Sequence, residues 1–239
     1  MTTVLLINLA VFAGAVVSGM AGFAFSAVAG AILLHILPPT EAVPLMMICS
    51  IATQAACLCT AHRSVDWKSS FTLIIGGLLG IPIAVYALQT VDTWSFRIGF
   101  GLFIAGYAAY MLWRPAVMVI RQMNGLQHAL VGFGGGLVGG ITAMPGALPT
   151  MWCDLHGVPK NQQRGLVQPF ILAMQVFALA LMLSQSALPS KIMFDVIVCL
   201  PALAVGTALG ITLFYRVNDM GFRRAVLGVL FASGLALAF

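Results

Sequence analysis

Two stretches of small residues interrupt apolar segments of this 239-residue chain, at residues 20–30 (MAGFAFSAVAG) and 139–150 (GGITAMPGALPT). A helix that starts inside such a break presents free backbone N–H groups and the positive end of its dipole, which together can bind an anion. We therefore predict an anion site at two tips. The first tip contains Gly22, Phe23, Ala24, Phe25 and Ser26, and the second contains Thr142, Ala143, Met144, Pro145 and Gly146. Small residues can instead serve close helix packing, which is the interpretation we favour for Gly134, Gly135 and Gly136.

Two glutamines lie deep in apolar segments, each twelve or more residues past the preceding break: Gln54 and Gln175. A side-chain amide there needs a partner, and its NH2 group can donate to an anion without carrying a charge into the apolar interior. An ordinary hydrogen bond between helices is the equally weighted alternative. Weaker candidates for the same site are Ser50, Thr53 and Gln168, with Arg164 at its mouth.

The residue types needed for catalysis or for a metal site are missing from the sequence pattern. The chain has no His-Glu-x-x-His and no Gly-x-Ser-x-Gly motif. Its five cysteines lie mostly in apolar stretches without a Cys-x2-Cys pair, which favours buried packing. The sequence predicts neither an enzyme nor a bound metal or cofactor.

Composition places the chain in a membrane. Hydrophobic residues make up 61% and charged residues 7%, with a mean hydropathy of +1.06, whereas soluble domains carry about 25% charged residues. The formal net charge of +5 comes from Lys and Arg between apolar segments, where they orient helices in the bilayer. We expect the lipid bilayer as a partner and no nucleic acid, and no removable signal peptide.

The chain also carries traces of an internal duplication. A shift of 121 residues places Gly19 on Gly140, His35 on His156 and Gln54 on Gln175. Residues 1–113 are predicted to form a first transmembrane repeat and residues 128–239 a second, joined by a cytoplasmic linker at 114–127.

The distribution of Lys and Arg indicates how often the opening segment of each repeat crosses the membrane. If each crosses once, the two sides collect five and six basic residues. If each returns to its own side, nine lie on one side and only Arg97 and Lys191 on the other. The positive-inside rule favours the second arrangement. The predicted fold is thus an all-α polytopic membrane protein with two inverted repeats, each a broken or re-entrant hairpin followed by three transmembrane helices.

The glycine-rich hairpin at the start of each half, the Pro-containing turn after it and eight apolar stretches resemble the sulfite exporter TauE/SafE family of membrane permeases. The resemblance covers nearly the whole chain. The family's first glycine cluster falls on residues 22–26 and its second on residues 143–147. Phe23 and Phe25 depart from the usual small residues, which would narrow the cavity or favour an organic tail.

The resemblance implies a permease for a small sulfur-containing anion such as sulfite, a sulfonate or sulfoacetate, which it exports from the cytoplasm. An inside-negative potential favours exit of an anion by about 2.3 kcal/mol per charge per 100 mV, so export needs no coupling ion. The alternatives are an uptake carrier of the same fold and a membrane assembly subunit that transports nothing.

The charge count yields a topology that labelling can check. Both termini and the turns near Leu88 and Ser186 should face outward, and residues 63–68, 114–127 and 216–224 should face the cytoplasm of the plasma membrane. Single cysteines at these places should react with an impermeant thiol reagent only from the stated side. A cytoplasmic N-terminus would contradict the even number of passes.

Overall fold

The structure, a computed structural model, describes residues 2–61, 65–90, 93–113, 124–142, 144–185 and 190–238. These residues form ten helices and no strand, which confirms the predicted all-α class. The helices are α1 (Thr2–Ala21), α2 (Phe25–Ile36), α3 (Pro39–Ala61), α4 (Trp67–Thr90), α5 (Thr93–Trp113), α6 (Gly125–Thr142), α7 (Ala147–Leu155), α8 (Lys160–Gln185), α9 (Ser190–Arg216) and α10 (Asp219–Ala238).

Five stretches of the described residues are long and apolar enough to cross a membrane. They lie in α1, α3, α4, α8 and α9. Of the predicted linker, residues 114–123 lie outside the described residues, and α6 already begins at Gly125.

Each half opens with a broken pair of helices. The break between α1 and α2 and the break between α6 and α7 both fall inside the predicted small-residue stretches. Gly22 ends α1 with a φ of 88°, a left-handed conformation that only glycine adopts readily. Its N–H still donates to the Ser18 carbonyl at 2.7 Å, so the chain leaves the helix directly after one last helical bond.

Helices at corresponding positions of the two predicted repeats make the same kinds of contact across the two halves. Helix α1 packs along α9, and its counterpart α6 packs along α4. Helices α3 and α8 meet each other, as do α5 and α10. A two-fold relation between the halves would produce this pairing. The duplication, and the inversion of one half relative to the membrane, stay predictions.

Glycines bring these helix pairs into backbone contact. A Cβ on Gly132 or Gly136 of α6 would collide with the carbonyl oxygen of Leu73 or Gly77 on α4. On the other side, a Cβ on Gly210 of α9 would collide with the Val16 carbonyl oxygen of α1. Packing is therefore the role that the structure gives to Gly136, in line with the interpretation favoured from the sequence.

Side-chain contacts show which helix ends lie together. The Ser70 hydroxyl at the start of α4 donates to the Leu166 carbonyl near the start of α8 at 2.9 Å, and Lys160 Nζ donates to the Val217 carbonyl just past α9 at 3.2 Å. This basic end also contains Lys68 and Arg216. At the opposite end, the starts of α3 and α9 are joined by an ion pair between Glu41 and Lys191.

Because these glycines lie against the backbone of a neighbouring helix, we expect a glycine-to-alanine substitution to destabilise the protein, although it usually stabilises a helix. Alanine normally stabilises a helix relative to glycine by about 1 kcal/mol, but at Gly136 it must push α4 away, and overpacking costs roughly 1–3 kcal/mol. We expect Gly136→Ala to lower the Tm of the purified protein by about 2–10 °C. The matched control is Gly228→Ala on α10, where a Cβ meets nothing within 4 Å. Equal Tm changes in both variants would contradict the close contact.

Candidate functional site

A cavity of about 50 Å³ lies at the basic end, beside the end of α1. One buried water needs about 10–15 Å³ on such a measure, so the space suits a few waters or a small ion. It is bounded by the end of α1, by α7, by the first turns of α8 and by the end of α9. Its lining residues are Ala21, Gly22, Thr150, Lys160, Gln163, Arg164, Val167, Gln168 and Phe214.

Helix α8 supplies the polar wall of this cavity. Lys160, Arg164 and Gln168 follow one another at intervals of four residues, which places them on one face of the helix. The lining described by the structure contains no Asp or Glu. Two of the lining residues, Lys160 and Arg164, carry a positive charge.

Arg164 is the most constrained of these side chains, at 5% exposure. Its Nη2 donates to the Gly19 carbonyl of α1 at 2.9 Å, and its guanidinium carbon lies 4.1 Å from the centre of the Phe214 ring. Its Nε and Nη1 have no hydrogen-bond acceptor among the described residues. A buried cation with unused donors is costly unless an anion or water completes its shell.

Gln168 lies one turn deeper and is 1% exposed. Neither the nitrogen nor the oxygen of its amide has a partner within the described part of the chain. The Cys57 thiol of α3 lies beside both Gln168 and Arg164. At the mouth, Lys160 Nζ lies 5.1 Å from the Phe214 ring centre and donates to the Val217 carbonyl.

Gln54 holds the break that forms the first tip. Its Nε2 donates to the Gly22 carbonyl at 2.8 Å and lies 3.4 Å from the Ser18 hydroxyl. The amide thus makes the interhelical hydrogen bond that was its alternative use, and its donation to an anion stays a prediction. Together with Arg164 it satisfies carbonyls at the C-terminal end of α1, where the helix dipole is negative.

The rest of the first tip is packed inside the protein. Gly22 lines the cavity, but Phe23, Ala24, Phe25 and Ser26 belong to the buried interior. The Phe23 ring packs edge-to-face on Tyr107 with centres 6.5 Å apart. Neither phenylalanine lines the cavity.

The second tip contacts the first. A Cβ on Gly146 would lie 2.8 Å from the Phe23 Cβ, and Met144 is buried. Pro145 packs against the backbone of α6, where a Cβ on Gly139 would have no room. Ala143 and the Thr142 side chain lie outside the described residues. Gln175 is buried on α8, two turns beyond Gln168 and outside the cavity lining.

The cavity brings Gly22, a leading candidate from the sequence, together with residues that the sequence ranked low or did not propose. Arg164 and Gln168 were weaker candidates. The four-residue spacing from Lys160 to Gln168 in an apolar helix is the signal that could have found this wall. The site residues that were missed are Thr150, Lys160, Gln163, Val167 and Phe214.

Comparison with known proteins gives one match. A family model described as "Sulfite exporter TauE/SafE" matches residues 6–237. Neither the curated proteins nor the solved structures contain a significant match to the chain. Because the family match spans nearly the whole chain and the described residues form an all-helical fold with several membrane-length helices, the chain belongs to the sulfite exporter TauE/SafE family, whose members are membrane permeases for sulfur-containing anions.

Proposed function

We propose that this permease exports a small sulfur oxyanion across the plasma membrane and binds it in the cavity beside Arg164. One observation carries the proposal. A guanidinium that is 5% exposed borders a cavity without a described carboxylate, and two of its nitrogens have no acceptor among the described residues.

The chemistry of the wall fits an oxyanion. A guanidinium offers planar N–H donors that match two oxygens at once, and such charge-assisted bonds are about twice as strong as neutral ones. The Gln168 amide can add a neutral donor one turn deeper, where a further cation would be costly. A sulfite or sulfonate group offers three oxygens to these donors.

The direction follows from charge. The basic end is assigned to the cytoplasm by the positive-inside rule, so the cavity would receive its anion from the cytoplasm, with Lys160 attracting it at the mouth. The membrane potential then favours outward movement by about 2.3 kcal/mol per charge per 100 mV. Export by this route needs no coupling ion, and both termini would face outward.

Substitution of Arg164 tests the binding site. In proteoliposomes, Arg164→Gln should reduce sulfite flux at least about tenfold, because hydrogen bonds to a charged group contribute roughly 1.5–3 kcal/mol. The rise in Tm that sulfite produces in the purified protein should disappear as well. Arg164→Lys should restore only part of both, because an ammonium cannot bind two oxygens in one plane.

The control is Lys68→Gln, which removes one positive charge from an exposed position at the same end. It should leave flux and the sulfite-dependent Tm shift nearly unchanged. Wild-type flux with sulfite, sulfoacetate, taurine and sulfate would establish the substrate. An Arg164→Gln protein that folds and still transports sulfite at the wild-type rate would refute the site, and flux directed only inward would refute export.

A further inference from the structure

Two stripes of polar and cysteine side chains face each other between α3 and α9. Successive members of each stripe are four or eight residues apart, so each stripe winds slowly around its helix, by about 40° for every four residues. On α3 the stripe contains Glu41, Cys49, Thr53 and Cys57, and on α9 it contains Lys191, Asp195, Cys199 and Thr207.

Contacts connect the two stripes along their length. Lys191 Nζ lies 2.7 Å from Glu41 Oε2 at the helix starts, and Asp195 is close enough to interact with both charges. Further in, the hydroxyl oxygens of Thr53 and Thr207 are 3.3 Å apart. Since early residues meet early ones and late residues meet late ones, α3 and α9 run parallel.

The stripes extend from the opposite end of the protein toward the cavity, and the described lining of the cavity contains none of their residues. From Glu41 to Cys57 the α3 stripe extends about 24 Å at 1.5 Å per residue, most of an apolar core of roughly 30 Å. Its inner end, Cys57, lies beside Arg164 and Gln168. We call the two stripes together the polar seam.

The equivalent interface in the other half is mostly apolar. Between α4 and α8, a Cβ on Gly77 would collide with Met174 and lie 2.8 Å from the Phe170 ring. Leu73 and Phe170 are both almost fully buried there. The helix pairing itself thus does not require polar residues, and buried polar groups within a membrane point to function.

We propose that the anion leaves the cavity between α3 and α9, along the polar seam, and that the Glu41–Lys191 ion pair closes the outer end of this route. The inference rests on the proposed export function. The seam residues between the ion pair and the cavity are buried in this structure, so passage requires α3 and α9 to separate. As the anion arrives, it replaces the Glu41 carboxylate on Lys191. With Asp195, two carboxylates face one ammonium at the closed outer end, so this end repels an anion until Lys191 separates from Glu41.

Joining the two helices at the gate provides a direct test. Glu41→Cys/Lys191→Cys is made with Cys59→Ser, which removes the exposed native thiol. It is then treated with a short bismaleimide, whose thioether bonds resist sulfite. We expect sulfite efflux from proteoliposomes to fall at least tenfold in the cross-linked protein. The same protein treated with monofunctional N-ethylmaleimide should retain efflux.

A second variant tests the middle of the seam without a cross-link. Thr53→Val/Thr207→Val replaces both hydroxyls by groups of similar shape, which is nearly neutral or stabilising for the fold. Its Tm should stay equal or rise while efflux falls at least threefold. The matched control is Thr212→Val, an exposed threonine of α9 outside the seam, bonded to its own helix.

The sulfite-dependent Tm shift separates this inference from the proposed function. If the cross-linked protein and the double valine variant keep that shift but lose efflux, the route is supported. If either one transports at the unmodified rate, the route is wrong. If the unmodified protein neither transports sulfite nor gains stability from it, the proposed function itself has failed.

Discussion

The hydrogen bond from Arg164 to the Gly19 carbonyl joins the features on which the site depends. A guanidinium inside a membrane protein is unfavourable by several kcal/mol unless its donors are satisfied. The end of α1 supplies a carbonyl, and the Phe214 ring supplies a polarisable face. The carbonyl is available because α1 ends within the protein. The break at Gly22 therefore provides an acceptor that an unbroken helix would not offer. The Arg164 Nε and Nη1 groups have no such acceptor among the described residues, and a bound anion could supply one.

Close helix packing fixes where that break lies. Gly19 itself has no room for a Cβ, which would lie 2.9 Å from the Thr207 carbonyl oxygen of α9. The same residue thus brings α1 against α9 and presents its carbonyl to Arg164. Thr207 also belongs to the polar seam. Movement of α9 away from α3 would therefore change the contact between Thr207 and Gly19 at the end of α1. This geometry couples the occupied cavity to the proposed exit route through one helix.

The sequence predicted the breaks, and at the first of them Gly22 takes a left-handed conformation that only glycine adopts readily. Glycine or proline alone does not decide a break, because prolines also lie inside helices. These internal prolines are Pro44, Pro82, Pro169 and Pro201. The sequence also predicted the helical class, since composition alone requires it. It did not predict which end of a broken helix faces the cavity. We expected the positive N-terminal ends of α2 and α7, yet at the first break the residues that open α2 are packed in the interior. The cavity instead borders the C-terminal end of α1. There the hydrogen-bond donors are the side chains of Arg164 and Gln54, which bond to carbonyls of Gly19 and Gly22.

The remaining part of the site depends on long-range packing. Phe214 lies fifty residues after Arg164 in the chain, and nothing local in either segment indicates that ring and cation meet. From the sequence, the Gln54 amide could donate either to an anion or to a neighbouring helix. In the folded protein it donates to the Gly22 carbonyl. In both cases the sequence specifies a polar group that needs a partner, while the packing of α3, α8 and α9 decides the partner.

The most direct test of the central claim is a crystal structure of the protein with selenite, the heavier homologue of sulfite, recorded at a wavelength where selenium scatters anomalously. We expect one strong anomalous peak in the cavity, with oxygens within hydrogen-bond distance of Arg164 and Gln168, and no such peak in Arg164→Gln crystals. A peak outside the cavity, or an unchanged peak in the variant, would contradict this expectation.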